Sequence, residues 1–146
     1  SKQPENGRNY NLKGHIFLWK GKYEEALSSF KDAYPLMANK ASVYLNAGMA
    51  LTLSGEHTKA EKLLNNAIER YPNDITLYFA LIENHIRANQ KEKAFSCAKK
   101  IYRKFNHRKI IASLETLADN SKFAPFSKRI IASVIEKVQN ETLVIR

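Results

Sequence analysis

Cysteine is nearly absent from this chain: Cys97 is the single one in 146 residues. No intramolecular disulfide can form, and no zinc site built from several thiolates is possible. The four histidines, His15, His57, His85 and His107, never fall at metal-ligand spacing, so neither a metal nor a cofactor is expected. Missing too are a glycine-rich phosphate loop, a Gly-x-Ser-x-Gly elbow, a His-Glu-x-x-His motif and a Cys–His pair at a useful spacing. Glu24 and Glu25 sit at helix-surface positions, where acid–base chemistry would need a pocket that nothing in the sequence indicates. The expectation is a protein without catalytic activity. No apolar run approaches the ~20 residues that span a bilayer, and no signal-peptide core opens the chain; both statements concern this piece alone. A lone thiol fits a reducing compartment, which favours the cytoplasm.

Acidic residues are in the minority, and unevenly so. The formal net charge is +10, of which residues 1–74 contribute +2 and residues 75–146 contribute +8. A basic half can attract nucleic acid, an acidic protein surface or anionic lipid, and it can equally be a solvated helical face.

What the chain does have is a period. Shifted by 34 residues, it aligns with itself: Tyr10 with Tyr44 and Tyr78, Gly14 with Gly48 and Ile82, Gly21 with Gly55 and Asn89. Ala26, Ala60 and Ala94 follow in register, then Phe30, Leu64 and Ala98, then Ala33, Ala67 and Ile101. No gap is needed across residues 7–108. Such a period marks a stack of supersecondary units, none of which can bury its apolar face alone.

Each unit reads as two helices. Tyr10, Phe17 and Leu18 recur at helical spacing on the first, and Tyr23, Ala26, Leu27, Phe30 and Ala33 on the second. Gly21 and Gly55 stand at the break, where the reversing chain can need a positive φ. Gly14, Gly48, Ala26 and Ala60 are small enough to let helix axes approach closely. Residues 7–40, 41–74 and 75–108 are thus three helix–turn–helix units. After residue 108 the period fades. Helices at about 109–119 and 125–139 are expected to form a degenerate capping hairpin, with a turn at Asp119-Asn120-Ser121 and Pro125 in the first turn of the second helix. The whole of 1–146 is expected to be one domain, and a fragment of a longer repeat protein. Two features bear on the fragment reading: Thr142–Ile145 is too apolar for a comfortable free end and either docks or was cut from something longer, and Pro4-Glu5-Asn6 stands two periods ahead of Pro72-Asn73-Asp74. The alternative is that Pro4-Glu5-Asn6 simply starts a helix.

Ala26-x3-Phe30-x2-Ala33 and Ala60-x3-Leu64-x2-Ala67, the latter closing on Tyr71-Pro72, resemble the tetratricopeptide repeat family. The resemblance covers about two-thirds of the chain. The third unit departs from it at Ile82 and Asn89, His85 replaces Phe17 and Leu51, and Ala38 replaces the closing proline of the first unit. The resemblance implies an all-α right-handed superhelix whose first helices line a concave groove that binds a protein or peptide. Carried over position by position, the groove residues are Asn11, His15 and Trp19, then Leu45, Asn46, Met49 and Leu53, then Phe79, Glu83 and Arg87. Of the residues that clamp a terminal carboxylate in one subgroup of the family, this chain keeps Asn46 alone. Asn11, His15, Thr76 and Ala80 occupy the other places, leaving no fixed cation for an anion. The groove is therefore mixed apolar and polar, suited to an amphipathic helix or extended peptide. Trp19 is its natural anchor; against this, Leu12, Leu18 and Trp19 can instead pack against a neighbouring repeat.

Lys91, Lys93, Lys99, Lys100, Arg103 and Lys104, followed by Arg108 and Lys109, form a basic ridge expected on the convex side. Its default reading is a solvated face, ahead of an acidic-protein or nucleic-acid patch. The interleaved Phe95, Ile101 and Tyr102 belong to the core pattern rather than to base stacking. A second functional class remains open: a regulatory or assembly domain of a larger protein. Such a parent would be a transcription regulator, or a bacterial envelope, secretion or polysaccharide-export component.

Overall fold

The computed structural model describes residues 4–119 and 128–145. They form eight α-helices: α1 (Pro4–Trp19), α2 (Tyr23–Ala33), α3 (Lys40–Leu53), α4 (His57–Arg70), α5 (Ile75–Arg87), α6 (Lys91–Lys104), α7 (His107–Asp119) and α8 (Lys128–Ile145), with a 3-10 turn at Tyr34–Leu36. No strand occurs among the described residues. None of the helices described is long and apolar enough to cross a membrane.

The period is visible in the hairpin turns. Gly21 and Gly55 take φ of 73° and 83°, and Asn89 takes 58° at the equivalent place. Asparagine tolerates this left-handed conformation better than other non-glycine residues. The hydrogen bonds repeat with it. Lys22 N–H donates to Phe17 O (2.8 Å), Glu56 N–H to Leu51 O (2.9 Å) and Gln90 N–H to His85 O (2.7 Å). Inside each of these, the left-handed residue donates to the carbonyl three positions back, Leu18, Thr52 or Ile86. This pair of bonds satisfies carbonyls that a helix end leaves orphaned. At the other ends, Asn39 caps α3 by accepting from Ser42 N–H (3.2 Å) and Asp74 caps α5 by accepting from Thr76 N–H (3.1 Å).

Within a hairpin the helices meet where a glycine faces a large side chain. A Cβ on Gly14 would overlap the Phe30 ring, and one on Gly48 would lie 2.6 Å from Leu64 Cδ2. The third unit exchanges the sizes: Ile82 and Ala98 hold these two places, and both are fully buried. Volume across the contact is kept by moving the bulk to the other helix. The loss of glycine at 82 is therefore a compensated substitution.

The two ends differ from the interior of the stack. Pro4–Asn6 forms the first turn of α1, whereas Pro72 and Asn73 form a turn ahead of α5. At the far end, α7 and α8 do not repeat the hairpin. α8 packs chiefly on α6 and also on α5, and α7 touches α5, α6 and α8 more lightly. In the interior, α5 packs on α4 and α3 in this same relation. α8 thus takes the place that the first helix of a fourth unit would take, and Ile131, Ile135 and Val138 bury its inner face. Asn120, Ser121 and Pro125 lie outside the described residues, and α8 runs to Ile145 rather than to about 139.

Candidate functional site

The first helices of the three units, α1, α3 and α5, were expected to line a groove along their whole length. In the structure most of the expected positions on α5 are covered, while those on α1 keep solvent contact. α5 packs against α3, α4, α6, α7 and α8, and every residue from Leu77 to His85 is buried. Phe79 is wholly inaccessible and Glu83 is 2% exposed, so neither can meet a partner. The Glu83 carboxylate accepts from Arg87 Nε at 3.1 Å, a charge-assisted bond that compensates part of the cost of burying it. Met49 and Asn46 on α3 are buried too. Asn46 spends its amide inside the stack, donating from Nδ2 to Asn11 Oδ1 at 2.9 Å. These four residues are structural contacts, not groove contacts. The cause in each case is a neighbouring helix that covers the position.

Six of the expected groove residues keep solvent contact. Asn11, His15, Leu45 and Leu53 are half-buried, while Arg87 and Trp19 are exposed. The His15 ring stands edge-on to Phe30, centroids 5.4 Å apart. Trp19 is 74% exposed, the most exposed large apolar side chain among the described residues. Leu18, beside it, is buried as a packing residue should be, but Leu12 is half exposed together with Ile16.

A polar cluster that the periodicity did not reveal joins the second unit to the third. Asn84 is fully buried. It donates from Nδ2 to His57 O (2.9 Å), while its Oδ1 accepts from His57 Nδ1 (2.9 Å) and from the Thr52 hydroxyl (3.1 Å). Ile16 and Ala50 hold the same repeat position; an asparagine there, one period after an apolar residue, was the available signal. Nearby His85 is buried with Nδ1 3.2 Å from Gln90 Oε1 and 3.8 Å from Glu61 Oε2. Burial lowers its pKa below the ordinary value, against the opposing pull of Gln90 and Glu61. Cys97 is sealed in the core, its pKa pushed up to about 12 by burial, so the thiol is unreactive near neutrality.

The residues of the expected basic ridge lie on α6 and at the start of α7. Lys91, Lys93, Lys99, Lys100, Arg103, Lys104, Arg108 and Lys109 are all exposed. Lys93 pairs with Glu61 at 3.3 Å, and Lys99 Nζ lies 4.7 Å from the centre of the Phe95 ring. α8 brings Lys137 to the same ring, 5.7 Å from its centre. Between α6 and α8 runs a groove of about 770 Å³ with Ile86, Phe95 and Val134 as apolar walls and Lys91, Lys99 and Lys137 among its cations. Sequence reasoning missed it because it depends on how α8 docks. Among the described residues, no group of three His, Cys, Asp or Glu side chains is placed to hold a metal ion.

Comparison with known proteins agrees with the repeat. The family model for the tetratricopeptide repeat matches residues 18–85, from the end of α1 to α5. Such repeats generally mediate protein–protein interactions, and their family is typically a non-catalytic scaffold. No curated protein and no solved structure matches the chain.

Proposed function

We propose that this tetratricopeptide-repeat chain, whose segment 18–85 belongs to that family, is a non-catalytic scaffold that holds a peptide or partner helix against the open part of its concave face. The single observation that supports this reading is the asymmetry of the groove. α5 is closed over by α7 and α8, while α1 and α3 present Asn11, His15, Trp19, Leu45 and Leu53 to solvent. Apolar side chains beside amide and imidazole groups suit an amphipathic segment, the apolar residues anchoring and the polar ones fixing register. Arg87 at the rim offers a charge-assisted contact to an acidic residue of the partner.

The test is a peptide selected from a display library on the intact chain, then titrated against surface variants. Leu45→Asp and Leu53→Asp should each weaken binding about tenfold or more, equivalent to about 1.4 kcal/mol, at unchanged helical circular dichroism. Undiminished affinity in both folded variants would reject the groove. Met49 and Phe79 are unsuitable for this purpose, since replacing either damages the core.

A second reading draws on the α6–α8 groove. Its three lysines outnumber the lining carboxylates Glu92 and Glu141 around an apolar wall, which suits a partner surface with a net acidic charge and would make the chain an assembly or regulatory domain of a larger protein. Binding there should weaken steeply with added salt, and Lys99→Glu should reduce it without touching the α1–α3 surface.

A further inference from the structure

The second helices of the three units, α2, α4 and α6, meet at two junctions built from the same repeat positions. Between α4 and α6 a carboxylate bridges the junction: Glu61 meets Lys93 Nζ at 3.3 Å and stands 3.8 Å from His85 Nδ1 of α5. One period earlier these three places hold Leu27, Lys59 and Leu51. The lysine is kept, while the carboxylate and the imidazole are replaced by leucines. Lys59 instead meets Glu56, three residues back, at 3.3 Å, an exposed pair that adds little in water. Where the bridge is missing, a groove of about 580 Å³ lies between α2 and α4. Leu51 is buried in its floor, and Leu27, Leu63 and Tyr44 are half-buried along its walls; Tyr78, the equivalent of Tyr44, is buried. Lys31, Lys59, Lys62 and Arg70 stand exposed around it, against one lining carboxylate, Glu69.

We infer that the α2–α4 groove is a docking site for a short, extended, acidic segment of a partner protein with apolar side chains at alternate positions. The bridged junction shows what the open one lacks. A carboxylate arriving from outside would meet Lys59 as Glu61 meets Lys93, and an apolar side chain beside it would cover Leu27 and Leu63. The cations of α4 run from Lys59 to Arg70, about 16 Å of helix, a length that an extended chain of about five residues spans. Successive side chains of such a chain point to opposite faces, so leucine-like residues face the apolar floor while carboxylates turn to the lysines at the rim. The surplus of cations steers an anionic segment to the groove, and each charge-assisted contact then fixes its register. Two alternative occupants fit less well. Single-stranded nucleic acid needs successive stacking platforms, whereas Tyr44 is the one aromatic ring lining this groove. Two copies of a chain with a formal net charge of +10 repel one another. The site is separate from the concave residues Leu45 and Leu53 and from the α6–α8 groove, so it stands or falls independently of either.

The test is a titration of the isotope-labelled full chain with a hexapeptide that alternates glutamate and leucine, followed through the amide chemical shifts. The shifts should cluster at residues 27–31, 44–51 and 59–70, and affinity should fall several-fold between low and moderate salt. Hexaglutamate, which carries more charge and no apolar side chain, should bind several-fold more weakly. Lys31→Glu combined with Lys62→Glu, both at exposed positions, should lower affinity for the hexapeptide tenfold or more at unchanged helical circular dichroism. Leu27→Glu gives this junction the residue that its neighbour has at the same place, and should lower affinity as far by engaging Lys59 internally. Undiminished affinity in the folded double variant, shifts confined to the concave face or to the α6–α8 groove, or equal affinity for hexaglutamate would overturn the inference. So would a homopolymeric single-stranded RNA that binds these residues more tightly than the hexapeptide. A dimer's mass, with the same amides shielded before any peptide is added, would overturn it as well and assign the groove to a second copy.

Discussion

α1 and α5 hold the same place in their units, yet one is exposed along a face and the other is buried on nearly every side. The difference lies in the neighbours that each helix has along the stack. α5 has α3 and α4 on one flank and α7 and α8 on the other; α1 has α2, α3 and the 3-10 turn, all from later in the chain. In a quasi-one-dimensional stack each unit's burial depends on its immediate neighbours. A repeat position therefore has no fixed exposure. Position 79 is core and position 11 is surface although the period makes them equivalent.

The largest expected effect of that contrast is on stability. Phe79→Ala should cost about 3–5 kcal/mol, the usual range for a fully buried aromatic, measured as the shift in urea unfolding at constant slope. Next comes the exchange of sizes inside the hairpins. Phe30→Ala should cost about 3–5 kcal/mol and Gly14→Ile about 1–3 kcal/mol or more by overpacking. The double variant copies Ile82 and Ala98, and should recover a substantial part of the summed loss. A double variant no more stable than the sum would show that the third unit packs by another route.

A smaller effect concerns pH. His85 has its pKa lowered by burial, so on acidification the unfolded chain takes up this proton before the native one does. Stability from neutral His85 is complete above about pH 6.5, and it falls as the pH drops from there toward the lowered native value. His85→Leu, which copies Leu51, should remove that acid step; urea midpoints of both proteins on either side of pH 6.5 check it. The smallest effect belongs to the open end. Leu12→Ser should change the stability of this chain by no more than about 0.5 kcal/mol, read by thermal unfolding.

The repeat itself was legible because its causes are local. Glycine at the turns, small residues at close approaches and apolar residues at helical spacing each act within one hairpin, and Gly21, Gly55, Gly14 and Gly48 do what their type requires. Which of the expected groove positions stay open to solvent was not legible, since exposure is a property of neighbours. Asn46, Met49, Phe79 and Glu83 occupy groove positions by register but are covered by adjoining helices. The position of α8 obeys no period that could have been extrapolated, and the α6–α8 groove depends on it. Asn84 shows the same limit from the other direction. A polar residue among apolar equivalents marked a contact, but the partners Thr52 and His57 emerge only when two units are stacked.

Native-state hydrogen exchange across the chain tests the central contrast most directly, because amide protection tracks local burial and packing. The account predicts that the amides of α5 exchange last and those of α1 first among the six helices of the three units. Equal protection of α1 and α5, or slower exchange in α1, would contradict it.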